Sequence, residues 1–228
     1  AIETMDEVIV QSTRIETPLS LMSSSVEIIN EEQLKQSGVP FVTEALEQLS
    51  GIQVTRDGGA GQSTSIYLRG AKPQHTLVLI DGVRMNGQLD LNGYDLANLE
   101  VNNIEKIEVL KGPQGALYGS DAMAGVINII TKSERGPVKG SITTEIGSYE
   151  TRRTAATAGG GTDAFYFSLA ASIFDQKGFS ASKNNTDRDG LLNKTFSANI
   201  GGEIKTGTEW KAVVRHLQAN AEYDQLSP

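Results

Sequence analysis

A glycine-rich stretch, residues 104–132, is the first place where this sequence could do chemistry. It reads IEKIEVLKGPQGALYGSDAMAGVINIITK, and loops of this kind often hold phosphates through their backbone amides. The stretch lacks the Gly-Lys-Ser/Thr with which a P-loop reaches the β- and γ-phosphates. It also leads towards a β-branched strand, so we expect no helix N-terminus aimed at a phosphate. We therefore predict that its glycines serve turns and close backbone approach rather than ligand binding.

The composition offers no support for catalytic or thiolate chemistry. The chain has no cysteine, and its two histidines, His75 and His216, lie far apart in the sequence. The sequence therefore gives no support for a Ser-His-acid catalytic triad, and it cannot form a metal site from cysteines. We predict a structural or surface role for both histidines and a protein that is not an enzyme. The formal net charge of −8, from 28 acidic and 20 basic residues, argues against a nucleic-acid-binding surface.

Carboxylates are concentrated in the segment 185–190, which reads NTDRDG. Carboxylate oxygens are ligands that Ca²⁺ prefers, and the segment matches the start of an EF-hand loop. The twelfth position of such a loop would be Phe196 instead of the bidentate glutamate. The EF-hand interpretation therefore fails.

Residues 26–136 are predicted to form a compact unit of short strands and helices. Asn30, with Gln33 three residues later, has the spacing of a capping box at the start of a helix. Apolar residues at helical spacing over 42–49 predict a second helix that Gly51 closes. The run HTLVLIDG is typical of a strand buried on both faces. The other predicted strands read VEIIN, GIQVT, SIYLRG, IEVLKG and GVINIITK.

Residues 137–228 predict five consecutive strands of about ten residues. Each strand alternates between an apolar face and a small, polar face, as in DAFYFSLAASIF. Strands this long fit a transmembrane β-barrel better than half of a soluble antiparallel sandwich, whose strands usually have about 5–6 residues. The long connection at 175–192 would lie outside the cell, and the short ones at 159–163 and 205–207 on the periplasmic side, because barrels have short periplasmic turns.

Together these features resemble the TonB-dependent outer-membrane receptors. The stretch 104–132, with Lys111 where the family has arginine, carries the resemblance together with SGIQVTRDGG, IYLRG and LVLIDGVRMN. It implies an α+β plug domain with a small mixed sheet at 21–136. It also implies that 137–228 forms the first strands, about five, of an antiparallel transmembrane β-barrel with about 22 strands when complete. The first residues, 1–20, would be a mobile tail, and the protein would lie in the bacterial outer membrane.

The tail contains a segment that resembles the Ton box of this family. Its residues are Asp6, Glu7, Val8, Ile9 and Val10. In the family this segment pairs as an added β-strand with a TonB-type energy-transducing protein, so that backbone hydrogen bonds supply most of the affinity. The resemblance thus implies a TonB-type partner that supplies the energy for transport.

Within the family, the likeness is strongest to the cobalamin receptors. The segments GGAGQSTSIYLRG and HTLVLIDGVRMN carry it, and DRDGLLNKT resembles the calcium-binding extracellular loop of those receptors. This implies a possible Ca²⁺ held by Asp187, Asp189, Tyr223 and Asp224. Ser180 stands where those receptors have a further acid. No other cofactor is expected.

Two long polar loops, 56–63 and 85–95, face outwards from the plug by the same resemblance. Flexible tips rich in glycine and asparagine can shape themselves to a bulky ligand. The candidate substrate-binding residues are Arg56, Asp57, Gln62, Ser63, Met85, Asn86, Asn92 and Tyr94.

The function that follows is TonB-dependent uptake of a large, scarce metal complex, with a cobalamin-like substrate ahead of haem or a ferric siderophore. A second interpretation is a binding or interaction module that does not transport, because five strands cannot close a barrel and their open edges would recruit other strands. The missing strands would then belong to another chain, or the product would be a truncated receptor. A weaker third interpretation, a signalling receptor, requires a further domain before the Ton box.

Overall fold

The computed structural model describes residues 25–87, 92–180, 188–205 and 207–222, together with the backbone of 9–10 and 17–18. Ile9–Val10 (β1) pairs antiparallel with Thr17–Pro18 (β2). Of the predicted Ton box, Asp6, Glu7 and Val8 lie outside the described residues. We call residues 25–132 the plug unit and the sheet that follows it the wall.

A five-stranded mixed sheet forms the centre of the plug unit, with strand order β3-β8-β9-β6-β7. Strand β6 pairs parallel with β9, and the other neighbours are antiparallel. Every residue of β6 is buried, which confirms the prediction from its continuous apolar run. The strands of this sheet are Ser25–Asn30 (β3), Thr76–Ile80 (β6), Val83–Arg84 (β7), Ile104–Lys111 (β8) and Gly125–Thr131 (β9).

Two short helices cover this sheet, Glu31–Ser37 (α1) and Val42–Glu47 (α2). The capping box of α1 is confirmed: the Gln33 amide donates to Asn30 Oδ1, and the Asn30 amide donates to Gln33 Oε1, both at 2.9 Å. The prediction that Gly51 closes α2 is wrong. Helix α2 ends at Glu47, where the Gln48 amide donates to the Ala45 carbonyl in a tight last turn. Among the described residues, no helix is long and apolar enough to cross a membrane.

An antiparallel hairpin, Ile52–Arg56 (β4) and Thr64–Leu68 (β5), lies beside the helices. Gly51, with φ +68°, is the turn that leads into it rather than a helix end. The core of the plug unit collects apolar side chains from the sheet, the helices and this hairpin. Among its fully buried members are Leu46, Leu68, Leu96, Ile104, Ile107, Ile127 and Ile129.

The glycine-rich stretch contains a short helix that the sequence did not predict, Gly115–Tyr118 (α3). The prediction that the glycines of residues 104–132 allow close backbone approach is confirmed for Gly125 and wrong for Gly115, where an added β-carbon would meet nothing within 4 Å. A β-carbon on Gly125, whose φ is +156°, would lie 2.2 Å from the Leu110 carbonyl oxygen and 2.5 Å from Leu68 Cδ2. Glycine at this position therefore allows β9 to pair with β8.

The wall is a five-stranded antiparallel meander in the order β10-β11-β12-β13-β14. Its strands have 11 to 17 residues, longer than predicted, because β12 and β13 continue into the predicted long connection. Strand β12 ends at Phe179 and β13 begins at Asp189, at the same end of the wall as the turn 148–150; we call this the outward end. The strands are Gly136–Gly147 (β10), Thr151–Gly161 (β11), Tyr166–Phe179 (β12), Asp189–Lys205 (β13) and Thr208–Ala221 (β14).

The two predicted faces of the wall strands are present in the structure. Along β12, Leu169 and Ile173 are exposed, whereas Ser168 and Ser172 are buried against the plug unit. The small, polar face therefore points inwards and the apolar face outwards.

Candidate functional site between the plug unit and the wall

Hydrogen bonds join the plug segment 98–103 to the inner face of β12 and β13. Asn193 Nδ2 donates to the Asn98 carbonyl at 3.0 Å, and Ser168 Oγ donates to Asn103 Oδ1 at 3.0 Å. All four residues carry short polar groups, and Asn193 and Ser168 are buried. The interface is thus built from polar pairs, and its small wall side chains are those of the predicted polar face. It is not fully satisfied, because Asn98 Oδ1 and Asn103 Nδ2 are buried without a hydrogen-bond partner among the described residues.

A buried carboxylate, Glu100, lies in the middle of this segment. Its Oε1 accepts from Ser172 Oγ at 2.8 Å, and its Oε2 lies 3.6 Å from Nε of the wall residue Arg153. Arg153 is itself buried and donates through Nη1 to Glu145 Oε2 at 2.8 Å and through Nη2 to Asn102. Burial raises the pKa of Glu100, against the opposing effects of the Ser172 hydrogen bond and the Arg153 charge.

A second connection between the plug unit and the wall passes through Asp81, at the turn between β6 and β7. Asp81 has φ +49° and Gly82 has φ +76°, as a two-residue hairpin turn requires. The Asp81 carboxylate accepts from the Thr131 amide at 3.0 Å, from Thr131 Oγ1 at 2.7 Å and from Lys211 Nζ at 2.9 Å. Asn199 Nδ2 of β13 donates to Thr131 Oγ1 at 2.7 Å. One side chain thus links the plug sheet to β14 of the wall.

The predicted substrate loop 56–63 lies at the outward end of β13 and β14. The Asp57 amide donates to the Ser63 carbonyl at 3.1 Å, which closes the loop. Gln62 Nε2 donates to the Glu222 carbonyl at 3.0 Å and so uses its amide on the wall. At the start of the loop, Arg56 Nη2 lies 3.9 Å from Glu44 Oε1. Burial raises the pKa of Glu44.

Apolar contacts reinforce the position of this loop. A β-carbon on Gly61 would lie 2.5 Å from Leu191 Cδ1, so the loop backbone rests on β13. Leu191 belongs to a small buried cluster with Phe41 and Phe174, whose rings meet edge to face at 5.0 Å. The loop therefore has a defined conformation near the outward rim of the wall.

The residues of the second predicted substrate loop, 85–95, make different kinds of contact. Asn86 accepts from the Val78 amide at 2.7 Å through Oδ1 and donates to the Thr76 carbonyl at 3.1 Å through Nδ2, so its side chain completes the edge of β6. Asn92 is exposed, and residues 88–91 lie outside the described residues. Met85 and Tyr94 are half-buried and meet at a cavity. A role in substrate binding stays a prediction for all eight loop residues.

The cavity has a volume of about 610 Å³ and lies between β14 and the plug unit, beside Met85, Tyr94 and Asp95. Its wall side comes from three inward-facing residues of β14. The sequence pattern put Lys211 and Arg215 on the polar face of that strand, but it gave no sign that they would meet the loop 85–95. The residues that line the cavity are Ile80, Asp81, Val83, Met85, Tyr94, Asp95, Asn98, Leu99, Val213, Arg215 and Leu217.

Of the four predicted calcium ligands, only Asp189 belongs to the described residues. It is buried at the outward end of β13, close to Gly59 of the plug loop 56–63. A carboxylate there has the chemistry that Ca²⁺ requires. Asp187, Tyr223 and Asp224 lie outside the described residues, and within the described ranges no group of three or more acidic or histidine side chains could hold a metal ion. Calcium binding stays a prediction.

Comparison with known proteins places these features in a family. Residues 18–126 match the model of the TonB-dependent receptor plug domain. The chain is 32% identical over 222 residues to a protein named vitamin B12 transporter BtuB from Photobacterium profundum, covering 96% of this chain and 36% of that protein. The chain thus spans about a third of the length of this relative.

Solved structures share the fold. The siderophore receptor PirA from Acinetobacter baumannii superposes with a TM-score of 0.68 at 25% identity, over 86% of this chain and 32% of that one. The ferripyoverdine receptor of the outer membrane of Pseudomonas aeruginosa, bound to ferripyoverdine, gives a TM-score of 0.76 at 16% identity, over 92% of this chain and 27% of that one. The second likeness concerns the fold alone.

Proposed function

This chain belongs to the TonB-dependent receptors of the bacterial outer membrane, and we propose that it contributes the plug and the first wall strands to a receptor that takes up a large, scarce metal complex. The favoured substrate is cobalamin-like, ahead of haem or a ferric siderophore. The remaining strands of the barrel come from the same or another chain, because the chain spans 36% of its vitamin B12 transporter relative. Its relatives are transporters and receptors rather than enzymes.

One observation carries the ranking of substrates. The relative named as a vitamin B12 transporter aligns with 96% of this chain at 32% identity, through both the plug unit and the wall. The siderophore receptor from Acinetobacter baumannii reaches 25% over 86% of the chain. The difference favours cobalamin, and siderophore receptors supply the main competing substrate class.

The polar contact between plug unit and wall supports a transport mechanism in which the plug yields to a pull. A typical hydrogen bond exchanged for water contributes only about 0.5–1.5 kcal/mol net to stability. Pairs such as Asn193 with Asn98 and Ser168 with Asn103 are of this kind. A wall that holds its plug in this way can release it at a much smaller cost than an apolar core of the same area.

The pull would come from a TonB-type partner through the segment Asp6–Val10. Ile9 and Val10 already adopt strand geometry against residues 17–18, which supports pairing with a partner as an added strand. A Ca²⁺ bound by Asp187, Asp189, Tyr223 and Asp224 would tie residues that follow β12 and β14 to the start of β13, near the plug loop 56–63. The TonB-type partner and the Ca²⁺ site are both part of this proposal.

A second candidate is a binding module that does not transport. The two candidates differ in whether substrate crosses the membrane or only binds.

Uptake in cells distinguishes them. The complete receptor is expressed in bacteria that lack their own receptors, and the uptake of radiolabelled cyanocobalamin, haemin and a ferric siderophore is measured with and without a functional TonB-type partner. We expect partner-dependent uptake of cyanocobalamin above the other two. Binding of any of the three without uptake supports the second candidate, and greater uptake of haemin or the siderophore overturns the ranking.

A further inference from the structure

The cavity between β14 and the plug unit contains an arginine whose charge has no hydrogen-bonded partner in the described part of the chain. Arg215 projects from β14 among the lining residues and is half-buried. Asp81 and Tyr94 are the groups that act on it electrostatically. The Asp81 carboxylate, however, is already occupied by Lys211 and Thr131.

The other lining carboxylate is also engaged elsewhere. Asp95 Oδ1 accepts from Thr64 Oγ1 at 2.8 Å and from the Ala97 amide at 2.9 Å. Asp81 is therefore engaged with Thr131 and Lys211, and Asp95 is engaged through Oδ1 with Thr64 and Ala97. A half-buried guanidinium offers planar donors that match a carboxylate or phosphate in bidentate fashion, and leaving it unpaired costs desolvation energy.

Apolar groups make up much of the remaining lining. Met85 and the ring of Tyr94 approach from the plug loop, and Val213 and Leu217 flank Arg215 on β14. At about 610 Å³ the space is large enough for a ring system. Asp81, Asp95 and Asn98 also line the cavity, but both carboxylates accept hydrogen bonds from other residues. An anionic group carried on an apolar body can therefore use the Arg215 charge and these apolar groups together.

We propose that this cavity is a binding subsite for a carboxylate or phosphate group borne on an apolar or aromatic body, with Arg215 as the anion-binding residue. The proposal rests on the proposed transport function in one respect, that the transported complex carries such a group past the loop 85–95. The competing occupant of Arg215 is a carboxylate from the wall strand that would follow β14.

The test uses the complete receptor, purified in detergent, with 2-naphthoate as the probe and the uncharged 2-naphthalenemethanol as its control. Binding is measured by isothermal titration calorimetry. The variants are Arg215→Gln, which removes the charge, Arg215→Lys, which keeps it, and Val213→Trp, which fills the cavity. His216→Gln is the matched control, because His216 is the next residue of β14 and is exposed on its opposite face. Heat-modifiable electrophoretic migration confirms that each variant is folded.

We expect 2-naphthoate to bind the parent at least about tenfold more tightly than the alcohol, the difference of a single charge-assisted hydrogen bond. Arg215→Gln should lose this preference, Arg215→Lys and His216→Gln should keep it, and Val213→Trp should abolish binding of both compounds. Equal affinity of the parent and Arg215→Gln for 2-naphthoate overturns the proposal, as does no binding at all. A structure of the complete receptor with Arg215 paired to a wall carboxylate also overturns it. Because the probe is not a transport substrate, failure of the uptake experiment leaves this result standing, and the reverse holds too.

Discussion

Replacing Asp81 tests how firmly the plug sheet is tied to the wall. Its carboxylate accepts three hydrogen bonds, two from Thr131 and one from Lys211, with the shortest at 2.7 Å. Hydrogen bonds to a charged group contribute about 1.5–3 kcal/mol each, and members of one network do not add fully. Asp81 also has a left-handed backbone conformation, with φ +49°. This conformation is costly for a residue that has a β-carbon but no side chain able to make a local hydrogen bond.

Three substitutions separate these contributions. Asp81→Asn keeps an acceptor for the Thr131 amide and loses the charge opposite Lys211, so it should cost about 1–2 kcal/mol of local stability. Asp81→Gly loses every side-chain contact without backbone strain, for about 2–3 kcal/mol. Asp81→Ala adds the strain of about 1 kcal/mol, for a total of about 3–4 kcal/mol.

Hydrogen exchange followed by mass spectrometry on the complete receptor provides the assay. The peptides to follow contain β6 and β9, whose parallel pairing ends beside Asp81. A loss of about 3 kcal/mol should accelerate exchange there by about a hundredfold, if exchange reports local opening. Lys211→Met, alone and combined with Asp81→Asn, measures the coupling between the two charges. Lys194→Met is the matched control, since Lys194 is exposed on the neighbouring strand β13.

Two results would refute the reasoning. Parental exchange rates in Asp81→Ala would mean that the plug sheet does not depend on this carboxylate. Equal rates in the glycine and alanine variants would mean that the left-handed turn stores no strain. If the effects of Lys211→Met and Asp81→Asn are additive, the two side chains are not coupled, and only the contribution assigned to their ion pair would be wrong.

Three further predictions concern other contacts. Burial raises the pKa of Glu100, so the folded state binds its proton more tightly than the unfolded state. Glu100 should therefore lower plug stability as the pH rises from the unfolded value of about 4.5 through the raised pKa. Burial raises the pKa of Glu44 and Glu105 as well, so Glu100→Gln should make the slope shallower, without abolishing it, in pH-dependent unfolding of the complete receptor; an unchanged slope contradicts the assignment. Gly125→Ala should prevent plug folding, because its β-carbon would lie 2.2 Å from the Leu110 carbonyl oxygen, whereas Gly115→Ala, with nothing within 4 Å of the added atom, should fold normally as judged by resistance to trypsin. Calorimetric titration of the complete receptor with Ca²⁺ should show uptake that Asp189→Ala weakens at least about tenfold; no uptake by the parent sinks the calcium prediction.

Local sequence signals predicted the local parts of the fold. The capping box at Asn30 follows from two residues three positions apart, and it forms as expected. The burial of β6 follows from an uninterrupted apolar run. The alternation of the wall strands follows from the two-residue period of a strand. The helix ends were harder: α2 stops before Gly51, and α3 forms in a stretch whose glycines argued against a helix.

The candidate site could be predicted only in part, because its contacts join residues far apart in the chain. The two outward loops were identified from their composition, but nothing in the sequence distinguished Asn86, which completes the edge of β6, from Met85 and Tyr94, which meet at the cavity. The position of Arg215 on the inner face of β14 followed from its alternating pattern. Its neighbours in the plug unit did not, since they lie more than a hundred residues earlier.

This separation has a physical consequence for how the plug and wall assemble. The Asp81 carboxylate binds Thr131 within the plug unit and Lys211 in the wall, so the same side chain finishes the plug sheet and ties it to β14. Because Thr131 precedes the wall in the chain, the plug half of this contact can form before Lys211 is in place. The ion pair to Lys211 then adds its part only when β14 has paired with β13. Apart from the apolar cluster of Phe41, Phe174 and Leu191, the contacts between plug unit and wall described above are polar. Separating the two units therefore need not dismantle the core of the plug unit itself.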